Sequence, residues 1–208
     1  MIKVPRNLYA FGAVLAVIWS KLPDFGKLLL AQFQQSCPYI VPYYPTRDKN
    51  SSENDYLISC GYALIKEGRQ LESESSYLDR MTTFVNLYAA IIQSNLTQHP
   101  HGMKYAWKWL ACILNMEPRK DITPTVLWAF LSTAHYRLHK TYGKQYEKLI
   151  QYLNNDYLPR MESIYNEKDS RHAITRLRTY IEEITLQMQN NKPPMVPTGY
   201  IPNIPENY

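Results

Sequence analysis

The sequence predicts an all-α fold of helices stacked in pairs, and three observations carry that reading. Apolar residues recur at three- and four-residue steps along most of the chain, the period of one face of a helix. Glycine is scarce, 7 residues in 208, as a mostly helical chain requires. No stretch shows a convincing strand alternation. At this length the chain has room for a sizeable core, expected as one helical domain over residues 1–189 followed by a proline-rich tail, 190–208.

Lys3 and Arg6 precede an apolar run, residues 8–19, in the outline of a signal peptide. The run is too short to span a bilayer, and Ser20-Lys21-Leu22-Pro23 offers no small-x-small cleavage site. A buried helix with Leu8, Phe11, Leu15 and Ile18 inward is the better reading, with no membrane partner. Pro23 suits the first turn of a second helix. Leu28, Leu29, Ala31 and Phe33 are its expected apolar side, and Cys37-Pro38 ends it. The Pro- and Tyr-rich residues 39–45 disfavour regular helix. Residues 47–54 read as an exposed loop, 56–65 as a short helix and 66–76 as a mobile polar loop.

A helix over residues 77–93 aligns Leu78, Met81, Val85, Tyr88 and Ile92, with Phe84, Leu87 and Ile91 widening the stripe. His99-Pro100-His101-Gly102 stops it. The next helix presents Tyr105, Trp109, Cys112 and Met116. Thr123-Pro124 reads as an N-cap with Pro at the first helical position. Val126, Leu127, Phe130, Leu131, Ala134 and Leu138 form the following face, and Gly143 breaks it. Tyr146, Leu149, Ile150 and Leu153 continue to Pro159, a kink or restart. The last helix, residues 170–189, turns Ile174, Leu177, Ile181, Ile184 and Met188 inward. The tail is expected to lie extended on the surface or to be disordered.

The net charge of +5 favours an acidic partner: a phosphate ligand, RNA or an acidic protein face. The charges are interleaved, so Lys104/Lys108, Lys144/Lys148 and the cluster Arg171, Arg176 and Arg178 read first as solvated helix faces. Cys37, Cys60 and Cys112 lack metal-ligand spacing, and three cysteines make no disulfide framework. His99 and His101 read as solvent-facing or capping turn residues, not as ligands. No metal site, no required cofactor and no catalytic residue is assigned: nucleotide-binding, nucleophile-elbow and metalloprotease signatures are all missing from the sequence. Tyr39, Tyr43 and Tyr44 beside Arg47 are the best candidates for stacking on single-stranded RNA. Without an RNA-binding motif, packing between helices is preferred for them, and direct RNA binding is not expected.

Several segments, taken together, resemble one family. They are Cys37-Pro38-Tyr39-x-Val41-Pro42-Tyr43-Tyr44-Pro45, Arg80-Met81, Leu87-Tyr88-Ala89-Ala90-Ile91-Ile92-Gln93 and His99-Pro100-His101-Gly102. Trp107-x-Trp109-Leu110-Ala111, Ile113-Leu114-Asn115-Met116-Glu117-Pro118, Asp156-Tyr157-x-Pro159-Arg160 and Arg176-Leu177 follow in order. The chain resembles the C-terminal domain of the Gle-one family of nuclear-pore mRNA-export factors. The resemblance implies a HEAT/MIF4G-like α-solenoid, similar to the middle domain of translation-initiation scaffolds, here N-terminally truncated: a fragment, a shortened gene model or a reduced homologue. It implies an export factor at the cytoplasmic face of the nuclear pore, present in nucleus and cytoplasm. Its implied partners are a DEAD-box RNA helicase, whose ATPase it stimulates, and a phenylalanine–glycine nucleoporin. A translation-initiation scaffold that binds initiation factors and a single-stranded RNA-binding module are the alternatives.

In fungal members of that family inositol hexakisphosphate bridges domain and helicase, held partly by an Arg and two Lys before the Cys-Pro pair. The matching positions here are Gln32, Gln35 and Ser36, none of them basic, with Lys21 and Lys27 the nearby cations. The loss of charge removes most of the attraction to a polyphosphate, so the resemblance implies weak or no inositol phosphate binding here and direct contact with the helicase.

Overall fold

The structure, a computed structural model, describes residues 7–66, 68–167, 169–202 and 204. Lys3 and Arg6, the charged flank of the signal-peptide outline, lie outside the described residues. Helices α1 (Leu8–Lys21) and α2 (Pro23–Ser36) form a hairpin, followed by a single 3₁₀ turn at Pro38–Ile40 and α3 (Glu53–Ser59). Then come α4 (Glu74–Ile92), α5 (Met103–Leu114), α6 (Ile122–Tyr142), α7 (Lys144–Tyr152), α8 (Leu158–Glu162) and α9 (His172–Gln189). The row α1, α4, α6, α9 runs side by side through the molecule, and the other helices pack along it as a solenoid-like stack. No helix among the described residues is long and apolar enough to cross a membrane.

The core lies along α4 and α6. Met81, Val85, Ala89, Ile91 and Ile92 of α4 and Val126, Leu127, Phe130, Leu131 and Ala134 of α6 are all buried. Helix α4 faces α1 on one side and α6 on the other, so its apolar stripe is wide, as its sequence predicts. Trp109 of α5 stacks on Phe130 at 4.2 Å between ring centroids.

The hairpin α1–α2 turns a different face inward from the one its large residues suggest. Phe11 is 61% exposed and Ile18 only half-buried, whereas Leu8, Tyr9, Gly12, Ala13, Ala16 and Trp19 are buried. Small residues let α1 close on α4: a Cβ on Gly12 would lie 2.6 Å from the carbonyl carbon of Ala90. In α2, Leu28 is 71% exposed and Ala31 also faces out, while Gly26 and Phe33 are buried. Gly26 is needed because the Trp19 indole lies flat against it, 1.9 Å from where a Cβ would stand. Close approach, not side-chain size, decides the face of both helices.

The segment read as a mobile loop carries structure, and it pairs with the end of the stretch read as the short helix 56–65. Leu64–Ile65 (β1) pairs antiparallel with Gln70–Leu71 (β2), Leu64 opposite Leu71 and Ile65 opposite Gln70. Ser73 Oγ then accepts the Ser76 N–H at 3.2 Å, so α4 starts earlier than its apolar stripe does. In the same way Ser52 Oγ accepts the Asp55 N–H at 3.1 Å and draws α3 forward to Glu53–Ser59, ahead of the expected 56–65. In α5, Tyr105 is 38% exposed and Cys112 half-buried, and Ala106, Trp109, Leu110 and Ile113 are the inward face. Thr123 is not an N-cap: Asp121, at φ 58°, holds that position, and Thr123 and Pro124 lie in the first turn. Gly143, at φ 49°, ends α6 and begins α7. A π-helical turn, Leu153–Tyr157, leads into α8, with Pro159 in its first turn.

The tail crosses the surface. Pro194, Pro197 and Tyr200 are half-buried, and a turn with Gly199 at φ 83° and the Tyr200 N–H donating to the Pro197 carbonyl at 3.1 Å turns Tyr200 towards the helices. Tyr200 meets Tyr136 at 5.0 Å and Tyr9 at 6.2 Å, and Asn95 Nδ2 donates to the Pro202 carbonyl at 2.6 Å.

His99 and His101 do not face solvent. His101 stacks between Trp19 (4.8 Å) and Tyr105 (3.9 Å), and its Nε2 pairs with the Tyr88 hydroxyl at 3.1 Å. His99 Nε2 lies 2.9 Å from the Ile91 carbonyl, a cap on the end of α4. Burial, with the nearby His99 and Lys108 charges, pulls the His101 pKa down to about 4. Burial, aided by His139, brings His135 down to about 4 as well. The unfolded chain, with histidines near 6.5, takes up these protons first as pH falls. Stability from both groups is therefore complete above about pH 6.5 and lost towards pH 4. The expected outcome is a melting temperature that falls across this window, with a shallower slope in the His101→Asn/His135→Gln double variant. Equal slopes in variant and parent would contradict it.

Candidate functional site

The end of α2 and the largely irregular chain between α2 and α4 leave carbonyls that need partners from elsewhere. Arg80 of α4 supplies the first set. Its Nη1 donates to the Ser36 carbonyl at 2.8 Å, its Nη2 to the Gly61 carbonyl at 2.6 Å, and the guanidinium pairs with Glu72. Glu72 Oε1 also accepts the Ala63 N–H at 2.7 Å. Burial pushes the Glu72 carboxyl up, but Arg80 and the Ala63 N–H outweigh it and hold it below the ordinary carboxylate range.

Arg119 makes the second clamp. It donates to the Pro45 carbonyl at 2.7 Å and the Tyr56 hydroxyl at 3.0 Å, and lies 4.7 Å over the Tyr44 ring. The Tyr44 hydroxyl meets Thr123 Oγ1 at 2.6 Å, which in turn accepts the Arg119 N–H at 2.8 Å. Between the clamps, Tyr77 donates to the Cys60 carbonyl at 3.0 Å and shares a 2.7 Å hydrogen bond with the Tyr39 hydroxyl. Trp109 Nε1 donates to the Tyr39 carbonyl at 2.8 Å.

These contacts decide the tyrosine question. Tyr39 is 1% exposed and Tyr44 half-buried under Arg119, so neither offers a free ring face; Tyr43, 55% exposed, is the outward member of the three. The packing preferred for Tyr39 and Tyr44 is what the structure shows, their rings and hydroxyls being used between elements. Of the basic residues read as solvated, Arg176 instead lies over Trp128 at 4.1 Å. The sequence signal that could have found the clamps is a lone arginine beside an apolar stripe, Arg80 before Met81.

Gln32 and Gln35 stand exposed near the end of α2, and Ser36 is half-buried. Gln32 Nε2 reaches Ser36 Oγ at 3.5 Å, and the Ser36 carbonyl is held by Arg80. Lys21 lies at the far end of the hairpin, and Lys27 pairs with Asp24 at 2.8 Å. Nine residues of helix, roughly 13 Å, separate Lys27 from Ser36. The structure therefore brings neither lysine to Gln35 and Ser36, and Lys27, five residues before Gln32, is paired with Asp24; three neutral donors suit a polyphosphate poorly. Cys37, Cys60 and Cys112 are free thiols, and no group of three or more His, Cys, Asp or Glu among the described residues is placed to hold a metal.

The sequence profile of the family described as GLE1-like protein matches residues 4–154. The chain belongs to the GLE1-like family. An mRNA export factor GLE1 from Danio rerio is 43% identical over 158 residues, covering 73% of this chain and 22% of the relative. One from Rattus norvegicus is 36% identical over 199 residues, covering 93% of this chain and 28% of the relative. This GLE1-like chain thus spans less than a third of the length of those relatives. Among solved structures, an S. cerevisiae complex of a Dbp5 C-terminal domain variant bound to Gle1 and IP6 contains a chain of the same fold. That match has a TM-score of 0.74 at 23% identity and covers 91% of this chain and 62% of the other.

The clamp predicts its own test. Replacing Arg80 by Met leaves two carbonyls without a donor and the Glu72 carboxylate with the Ala63 N–H but no counter-charge, so urea unfolding should show a loss of about 3 kcal/mol. Adding Glu72→Gln to Arg80→Met should recover part of it, because a neutral amide costs less to leave buried. A loss under about 0.5 kcal/mol for Arg80→Met, the range of an ordinary surface change, would contradict the clamp.

Proposed function

We propose that this chain is a helicase-binding module of an mRNA-export factor working at the nuclear pore, on its cytoplasmic face, without a catalytic reaction of its own. The observation that carries the reading is the joint one: membership of the GLE1-like family over most of the chain, and the fold of a chain from a complex in which Gle1 is bound to Dbp5 and IP6. A stack of helices pinned by buried clamps suits the task, since a rigid surface loses little freedom on binding a partner. Stimulation of a DEAD-box helicase ATPase and a phenylalanine–glycine nucleoporin as a second partner belong to the same reading. So does the division into one helical unit, residues 1–189, and a tail, 190–208.

Inositol hexakisphosphate is not part of the proposed complex at α2. Neutral Gln32, Gln35 and Ser36 offer weaker hydrogen bonds than the charge-assisted ones a polyphosphate takes from guanidinium or ammonium groups. The helicase is then met directly.

The test is the RNA-stimulated ATPase rate of a purified partner DEAD-box helicase with and without this chain. The expected result is stimulation that is saturable in the chain and changes little with inositol hexakisphosphate. In the triple variant Gln32→Arg/Gln35→Lys/Ser36→Lys, the polyphosphate should strengthen helicase binding by about tenfold or more. Absence of both binding and stimulation would overturn the helicase reading. Tight, salt-sensitive inositol phosphate binding by the unaltered chain would overturn only the reading of α2.

A further inference from the structure

The N-terminal ends of α4, α6 and α9 converge on a groove of about 350 Å³, walled by Glu74, Asp79, Thr82, Asp121, Thr125 and Arg176. A smaller slot of about 150 Å³ continues from it, sharing Glu74, Leu78 and Asp121 and reaching Tyr62 and Tyr77. Those two rings are stacked at 3.8 Å, which gives the slot an aromatic wall.

The groove is acidic in a chain whose net charge is +5. The acids around it divide into two kinds. Glu72 is neutralised by Arg80 and Asp169 by Lys120. Glu74 and Asp79 are exposed, and their carboxylates have no ion-pair partner among the described residues. Among the described residues, the Asp121 carboxylate receives the Tyr165 hydroxyl alone, at 3.3 Å. Burial and the neighbouring Asp169 charge push its pKa up, with Tyr165 and Lys120 opposing. The Tyr62 hydroxyl lies in the same negative field: burial first, then Glu74 among others, raises it to about 12.

Two polar atoms of the wall are buried without a hydrogen-bond partner among the described residues, Thr82 Oγ1 and Arg176 Nε. Thr82 is only 2% exposed, which makes an unpartnered hydroxyl there costly. Arg176 is drawn flat against the wall, with its guanidinium carbon 4.1 Å over Trp128 and its Nη2 3.5 Å from Thr125 Oγ1. Burial lowers its pKa and the nearby Asp79 carboxylate opposes that, so Arg176 offsets part of the negative charge of the groove without a direct ion pair among the described residues.

We propose that this groove receives an extended segment of a partner protein carrying an arginine or lysine, whose cation sits among Glu74, Asp79 and Asp121. The chemistry of the wall selects a peptide over other cations. Thr82 Oγ1 accepts from the guanidinium or ammonium, Arg176 Nε donates to a peptide carbonyl, and the Tyr62 side takes the flanking apolar side chain. A free phosphate would find the end of α9 and Arg176, but also three carboxylates that repel it. The proposal goes beyond the helicase reading and does not rest on it.

The experiment is titration of the isotope-labelled full chain, followed by backbone amide NMR shifts, with acetyl-Ala-Arg-Ala-amide, its Gln counterpart and inorganic phosphate. The arginine peptide should shift amides around Asp79, Thr82, Thr125 and Ala173, and more salt should weaken it. Asp79→Asn should weaken binding about fivefold and Glu74→Gln/Asp79→Asn about tenfold, with unchanged melting temperatures because both side chains are exposed. Four results would each overturn the proposal. They are equal binding of the Gln peptide, insensitivity to Asp79→Asn, phosphate shifting the same amides more strongly than the arginine peptide, and no shift at these amides at the highest peptide concentration.

Discussion

Buried hydroxyls and guanidinium groups that donate to main-chain carbonyls are the constraint on which this fold depends. Regular helices satisfy their own backbone, but the connections between them do not. Here Arg80 and Arg119 hold the irregular chain between α2 and α4, and tyrosines do the same across the helix row. Tyr9 donates to the Thr133 carbonyl, Tyr180 to that of Leu131, Tyr142 to that of Met103 and Tyr157 to that of Ile113. Each ring adds buried apolar area while its tip ties one element to the next. The 18 tyrosines are thus a structural signal before they are a binding one.

Much of the architecture was legible because long periodic stripes leave few alternatives. The stripes of α4, α6 and α9 place the central row, Gly143 marks the break between α6 and α7, and Pro159 lies where α8 begins after a π-helical turn. What was not legible has definite causes. The inward faces of α1 and α2 are set by Gly12 and Gly26, whose role is to be small where another element comes close, and a hydrophobicity pattern has no term for that. The hairpin Leu64–Ile65 with Gln70–Leu71 is two residues a side, too short to show alternation. His101 reads as a polar turn residue until Trp19, Tyr88 and Tyr105, distant along the chain, close around it.

The same limit applies to function. Positions 32, 35 and 36 could be named from family resemblance, and the structure places them on an exposed helix end with no lysine beside them. The groove between α4, α6 and α9 had no signature, because its acids come from the starts of α4 and α6, which only packing brings together. Its charge contrasts with the chain as a whole. The groove relies on the pinned connection, since Glu74 and Tyr62 flank the hairpin that Arg80 and Glu72 secure.

Native-state hydrogen exchange tests most directly whether the segment between α2 and α4 is a fixed part of the slab. Bonded amides there, such as Cys60, Tyr62 and Ala63, can be compared with Val85 and Ala89 in the inner and last turns of α4. Exchange of the segment only through the same large opening that exposes α4, with matching denaturant dependence, is the predicted result. Exchange of Cys60, Tyr62 and Ala63 at the rate of a free loop, while α4 stays protected, would contradict it.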